Sequence, residues 1–510
     1  MSDAQTVAVQ TWANENAVAP VVLLPDTPDK WFAAKFPSLP AKFGSAILEG
    51  FPPKEDEKPF VKDFSEDFLA ATLGDMGIPD RPTVFMATED RFYTYRPEMG
   101  IYCEEREARL AAGLSDLLLT CARECGEKFD TRSLQFKFRD TASLKGVLQR
   151  ARGLLEVPHD FFECDLRKLI ACRNGMLRLA DGALLPFAAS FRRRNKLAVD
   201  YVPGAECPMF LDVLMNPALD PDEIDLVQRW CGLALVGLNL AQRILILAGT
   251  PGGGKGTFIR LLEGIIGAEN MATLRPKLLA ERFELGRFLG KSLLYGPDVK
   301  ENFLTCEGAS VLKALTGGDP VTLEFKGSNE RPAIVCRFNA IVTCNSRLTV
   351  RLEGDTEAWR RRLAIVEYRK PKPATAITDL SEQILAKEGP GVLNWMLAGL
   401  AKLQADGWNL RLTDAQQKLV DDLLLQSDGD VVFAKECLRK NDSGSLTVAK
   451  CYEAYVGFCN ERGWLATPRK RFSNVIGDTV TREFGLTVRH DIPDDADKPQ
   501  RGWKGLVCLT

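Results

Sequence analysis

Residues 244–262 read Ile-Leu-Ile-Leu-Ala-Gly-Thr-Pro-Gly-Gly-Gly-Lys-Gly-Thr-Phe-Ile-Arg-Leu-Leu: an apolar run, a glycine-rich turn, then the start of an amphipathic helix. Gly249 is followed, after four residues, by Gly254-Lys255. That is the spacing with which a strand–loop–helix junction cradles phosphate. Glycines let the backbone bend so that successive N–H groups face inward, and the helix N-terminus adds partial positive charge. Gly249, Gly252, Gly254, Lys255, Gly256 and Thr257 are therefore the candidate nucleotide-binding residues, with Lys255 reaching the β- and γ-phosphates. Gly256 stands where a Ser or Thr usually follows the lysine, and Thr257 comes one residue later. The hydroxyl for a magnesium ion is present but displaced.

The chain has 510 residues, 45% of them hydrophobic, enough for roughly three or four domains of ~100–200 residues each. No apolar run approaches the ~18 residues of a membrane helix; Trp230 to Leu240 comes nearest. The N-terminus is polar, without a basic-then-apolar signal pattern, and a cytoplasmic, membrane-free protein is expected. Fourteen cysteines are scattered with no C-x-x-C spacing, which reads as buried thiols in a reducing compartment rather than a zinc site. With His159 and His490 as the two histidines, imidazole catalysis and His-rich metal binding are poorly supported. The net charge of −3 requires any nucleic-acid-binding surface to be local.

Residues 1–80 are proline-rich and are expected to form an irregular arm with short helices. Residues 81–235 are expected to form a mainly helical domain, with small strands at 84–86 and 91–95, helices at 142–155 and 161–171, and a hairpin around Asp181-Gly182. An α/β core is predicted over 236–370, with strands at 244–248, 292–296, 340–344 and 363–368. A helical connector follows over 371–425. In 426–510, a helix around Val448–Tyr455 and another from Arg469 precede a hairpin of Leu486–Ile492 with Trp503–Leu509, an order that suits a winged helix. Asp220-Pro221-Asp222 reads as a helix cap, not a metal-binding pair.

An ATPase needs a strand-end carboxylate to hold magnesium and polarise water. Asp298, after Leu293-Leu294-Tyr295, supplies that position, and Glu301 is a second candidate. Ala340 to Cys344 is an apolar strand ending in Asn345, whose amide can sense a γ-phosphate. Arg360, Arg361 and Arg362 precede a further strand and can present a guanidinium to a neighbour's nucleotide. Two more basic runs stand out: Arg192-Arg193-Arg194, and Arg469-Lys470-Arg471 at a helix start, where cations suit DNA phosphates.

The run from Gly249 to Tyr368 resembles the superfamily 3 helicases, and the whole arrangement is similar to the helicase part of phage, plasmid and poxvirus primase-helicases. The matching segments are Gly249 to Phe258, Leu315 to Lys326, Ile341 to Asn345 and Arg360 to Leu363, in that order. The resemblance implies an AAA+-like core, with Lys255 and Thr257 on the phosphate loop, Asp298 in the second motif and Asn345 as sensor. It further implies Arg361 as arginine finger, with Arg360 and Arg362 left open, and Lys326 on a DNA-contacting hairpin. That family often has two adjacent acids in the second motif, whereas Pro297 precedes Asp298 here, so the water-activating carboxylate is not fixed.

The expectation is a multidomain α/β protein acting as an ATP- and Mg2+-dependent ring helicase, a homohexamer on single-stranded DNA served by a separate primase. One rival is a phosphotransferase, because Gly-Lys-Gly-Thr also resembles the loop of nucleoside monophosphate kinases. The other is a DNA-binding initiator that uses nucleotide as an assembly switch without unwinding.

Overall fold

The computed structural model describes residues 27–50, 57–74, 81–137, 141–275, 278–300, 303–304, 308–324, 333–335, 338–345, 348, 350, 356–370, 377–427, 429–462, 464, 466–494 and 497–509. The chain divides into two compact units, Met1–Cys164 with Phe187–Arg194, and Asp165–Pro186 with Asn195–Thr510.

The first unit is held by an aromatic and aliphatic core in which Phe32, Phe68, Leu69, Leu114, Leu118 and Cys121 are essentially inaccessible. Helix Glu107–Cys125 contributes Leu110, Leu114, Leu118 and Cys121 at three- and four-residue spacings. Strands Thr83–Met86, Arg91–Arg96 and Ile101–Glu105 form an antiparallel meander, which includes both strands anticipated there. Two expectations are corrected. The stretch 161–171 is not a helix: a single 3-10 turn, Phe161–Glu163, is followed by strand Leu169–Cys172. Asp165, at φ 51°, breaks the backbone between them. The 81–235 segment is also less helical than expected, since it carries two three-stranded antiparallel sheets. In the second unit, the hairpin around Asp181-Gly182 does form, with Met176 opposite Leu185.

In the second unit, helix α1 (Pro221–Val236) leads to β1 (Ile244–Gly249), α2 (Lys255–Ile266), β2 (Met271–Thr273), β3 (Leu293–Gly296) and β4 (Asn339–Cys344). Helix α3 (Thr356–Arg362), β5 (Leu363–Tyr368), α4 (Leu380–Ala405) and α5 (Asp414–Ser427) follow. Asp220 is the N-cap of α1, its backbone N–H donating to Glu223 at 3.2 Å, so the Asp-Pro-Asp motif is a cap as read. The five strands pair in parallel in the order β2-β3-β4-β1-β5. Parallel strands are buried on both faces, and Ile244 to Leu247 accordingly read as an unbroken apolar run, each at most 2% exposed. One face packs Leu245 and Leu247 against Phe258 and Leu261 of α2 and Trp230 of α1. The other buries Ile244, Ile246 and Val342 with Trp359 of α3 and Val420 and Leu424 of α5. Truncating any of these large side chains would cost about 2–5 kcal/mol. All four anticipated strands are present, and the short edge strand β2 is an addition.

The last residues of the second unit form α6 (Gly429–Cys437), β6 (Leu438–Thr447), α7 (Val448–Glu461), α8 (Arg469–Phe484), β7 (Arg489–Pro493) and β8 (Pro499–Cys508), with strands ordered β6-β8-β7. The hairpin pairing differs from expectation. β7 pairs with the start of β8, Arg489 opposite Gly502 and Pro493 opposite Pro499. The apolar half of β8 pairs with β6 instead, Trp503 opposite Leu446. Burial decides this: Trp503 and Leu506 are inaccessible in the core beneath β6, whereas β7 is exposed except at Ile492. Among the described residues, no helix is long and apolar enough to cross a membrane.

Candidate nucleotide site

The C-terminal edge of the sheet collects the polar residues singled out in sequence. β1 ends at Gly249, whose φ of 138° and closeness to β5 both demand glycine: a Cβ there would lie 2.6 Å from the Tyr368 carbonyl oxygen. Gly252 and Gly254 also take positive φ, at 87° and 99°, turning the loop into the first residue of α2. That residue is Lys255. Its Nζ donates to the carbonyl oxygens of Gly249 (2.6 Å) and Thr250 (3.0 Å), which fixes the ammonium over the loop. Lys255 is only 5% exposed, and burial pulls it below the usual lysine range, although Cys344 and Asp298 act the other way. Thr257 sits half-buried in the first turn of α2, and Gly256 beside it is exposed.

β3 and β4 bring the next two groups together. Asp298 follows β3 at φ 40°, a left-handed conformation uncommon outside glycine and clamped here by β4. The Asp298 N–H donates to Thr343 Oγ1 at 3.0 Å, and the Val299 N–H to the Thr343 carbonyl at 2.8 Å. Asn345, immediately after β4, donates from Nδ2 to Asp298 Oδ1 at 2.7 Å. Thr343 is the residue sequence reading missed, its signal being a lone hydroxyl inside an apolar strand. Cys344 is inaccessible at the end of β4, where burial pushes its thiol up to about 11. Glu301 and Lys326 lie outside the described residues. Strands Pro320–Thr322 and Ala333–Val335, which flank the latter in sequence, pair antiparallel.

The three arginines of α3 separate cleanly. Arg360 pairs with Asp421 of α5 through Nε (2.8 Å) and Nη2 (2.9 Å). Arg362 is buried and donates to the carbonyls of Lys313 (3.2 Å) and Ala358 (2.9 Å). Arg361 is exposed and makes no ion pair or side-chain hydrogen bond with the described residues. Arg469, Lys470 and Arg471 are likewise exposed on the first turn of α8.

The oxygen donors present, a hydroxyl at Thr257 and a carboxylate at Asp298, are of the hard type that suits magnesium. Lysine, carboxylate and amide converge at the ends of β1, β3 and β4, which are consecutive in the sheet. In open parallel sheets, ligands bind at this carboxyl edge.

Comparison with known proteins gives two family matches. Residues 86–216 match the family described as D5 N terminal like, and residues 247–362 match a family of unknown function, DUF5906. Among solved structures, the A form apo structure of the NrS-1 C terminal region is similar, with a TM-score of 0.43 and 14% identity over 83% of this chain and 96% of that one. The apo structure of NrS-1 C terminal region (305-718) gives 0.44 and 13% over 84% and 96%.

Proposed function

We propose that this chain is an ATP-hydrolysing motor of the phage and plasmid primase-helicase type, which unwinds DNA during replication as a ring, most simply a homohexamer. The observation that carries the reading is the delivery of Lys255, Asp298 and Asn345 to one sheet edge by three neighbouring strands. The D5 N terminal like match over 86–216 agrees with a place in phage-type replication.

In this reading, the loop N–H groups and Lys255 bind the β- and γ-phosphates. Thr257 and Asp298 would hold the magnesium ion, which supplies charge neutralisation at the phosphates. Asn345 is oriented by Asp298 and reports the γ-phosphate. Arg361 reaches the nucleotide of an adjacent subunit, since its two neighbours are already committed within their own. Basic side chains on the first turn of α8 oppose the helix dipole, so folding does not reward them there. A phosphate backbone would, and α6–α8 with their sheet suit a winged-helix role on duplex DNA. Lys326, which lies outside the described residues, is kept as a proposed DNA-contacting residue.

The test is ATP turnover with and without single-stranded DNA, alongside unwinding of a forked duplex. DNA stimulates the wild type, and Lys255→Ala lowers turnover by about 10²–10³-fold, the scale for removing one preorganised charge-stabilising donor. Phosphoryl transfer to a nucleoside monophosphate, indifferent to DNA, would overturn the motor in favour of a kinase. ATP-dependent DNA binding without strand separation would favour the initiator switch.

A further inference from the structure

β3 and β4 pair in parallel as far as Gly296, which lies opposite Val342. The next pair would set Pro297 against Thr343, but proline carries no N–H with which to continue the ladder. Thr343 closes it in two other ways. Its backbone carbonyl accepts the Val299 N–H at 2.8 Å, and its side-chain Oγ1 accepts the Asp298 N–H at 3.0 Å. The Tyr295 hydroxyl lies 3.5 Å from the same Oγ1. Thr343 is 3% exposed. It alternates along β4 with Val342 and Cys344, which pack on the side of α3 and α5, and shares the α2 side with Ile341. Valine, branched in the same way, would fill that place with almost the same shape. The hydroxyl is therefore the atom that packing alone does not explain.

Asp298 is the residue that needs the support. Its φ of 40° lies in the left-handed region, which a residue with a Cβ keeps only where its surroundings over-determine it. Val299, buried in the core, pins the chain just after it. Thr343 Oγ1 pins the Asp298 amide itself. At the other end, Asn345 Nδ2 holds Oδ1 at 2.7 Å, and among the described residues Oδ2 accepts no hydrogen bond. The carboxylate is thus fixed through its backbone and through one oxygen, leaving the second for a cation. Outer partners of this kind orient the carboxylates that bind metals.

We propose that Thr343 is a positioning residue, whose hydroxyl holds the Asp298 backbone in the left-handed region and so aims its carboxylate at the magnesium ion that accompanies the nucleotide. The proposal rests on the reading of Lys255 and Asp298 as parts of a magnesium–nucleotide site. Without the hydroxyl, Asp298 relaxes out of this conformation and its carboxylate turns away, while the phosphate loop stays as it is.

The test separates hydroxyl from packing, and metal from phosphate. On the full chain, affinity for Mn2+, a paramagnetic stand-in for Mg2+, is measured by electron paramagnetic resonance with adenylyl imidodiphosphate present. Affinity for the same nucleotide in EDTA is measured by calorimetry, and ATP turnover gives kcat and KM. The proteins are wild type, Thr343→Val, Thr343→Ala, Thr343→Ser and Lys255→Ala, with thermal melting to confirm folding. Two variants lack the hydroxyl, so that misfolding of one leaves the other to decide. Both weaken Mn2+ by about 10–100-fold and lower kcat on the same scale, the usual cost of losing an outer partner of a metal ligand. Both bind the metal-free nucleotide as wild type does. Thr343→Ser, which keeps the hydroxyl, behaves as wild type in every measurement, and Lys255→Ala loses the nucleotide with or without metal. Wild-type Mn2+ affinity in the hydroxyl-free variants, or a Thr343→Ser variant as impaired as they are, overturns the positioning role and leaves the phosphate reading standing on Lys255→Ala. If Lys255→Ala binds the nucleotide as wild type does, the phosphate reading falls and takes the positioning role with it.

Discussion

The triplet Arg-Arg-Arg occurs twice, at 192–194 and at 360–362, and the two copies come to opposite ends. In the first, the cations are absorbed within the unit that carries them. Arg192 lies over Phe161 at 4.9 Å; Arg193, buried, donates to the carbonyls of Cys164 and Phe191; Arg194 pairs with the buried Glu89 at 2.6 Å and stacks over Phe162 at 5.0 Å. A DNA-contacting role, open for this run in the sequence, does not fit two cations already engaged with buried groups. In the second, Arg360 and Arg362 are engaged and Arg361 points to solvent. The difference teaches that a charge run declares nothing by itself. What matters is which cation remains after nearby carboxylates and carbonyls have taken theirs.

The largest effect expected from this contrast is at Arg361. Arg361→Ala lowers DNA-stimulated ATP turnover by about 10³-fold, the lower bound for an arginine finger, with little change in ATP affinity. Mixing it with Lys255→Ala restores part of the activity, because some interfaces then pair an intact loop with an intact arginine. Normal turnover in Arg361→Ala would make the second run as structural as the first and end the comparison.

Next comes the buried end of the first run. The Tyr93 hydroxyl also donates to Glu89, and burial, reinforced by Glu89, raises that phenol well above its ordinary value. Glu89→Gln leaves Arg194 without its counter-charge and costs about 3 kcal/mol, the low end for breaking a buried pair because Arg194 keeps some solvent contact. Chemical denaturation monitored within the first unit reads this loss, while ATP affinity stays unchanged. A loss below about 1 kcal/mol, typical of a surface pair, would show that Arg194 is held mainly by its ring contact.

How far the sequence could be read follows the range of the interactions. β1, β3, β4 and β5 were visible because a strand buried on both faces must be apolar throughout, and the loop glycines because the turn admits little else. β2 was not: Met271-Ala272-Thr273 is too short for any periodicity to register. The order of Lys255, Asp298 and Asn345 along the chain was legible, but their meeting is set by the strand order. Thr343 was missed because it acts through a partner, the Asp298 N–H, that only the fold brings to it. The fate of Arg192–Arg194 depends on Glu89, which lies 105 residues from Arg194, so no local pattern encodes it.

The smallest effect is the most direct check of that last point. Arg192 is exposed, sits at φ 51° and has its ring contact with Phe161, worth about 0.5–1 kcal/mol at an exposed site. Arg192→Ala should therefore change stability by no more than that, and leave the dependence of DNA affinity on salt untouched. Arg471→Ala, on the free first turn of α8, should instead reduce the slope of log K against log salt by about one, as one phosphate contact does. Titrating both variants on one DNA across a salt series compares them on equal terms, since each removes a single positive charge from an exposed position. Equal slopes for Arg471→Ala and wild type would remove α8 from the DNA surface. A reduced slope for Arg192→Ala would put the first run on DNA despite its ring contact, showing that a cation over an aromatic ring is still available to phosphate.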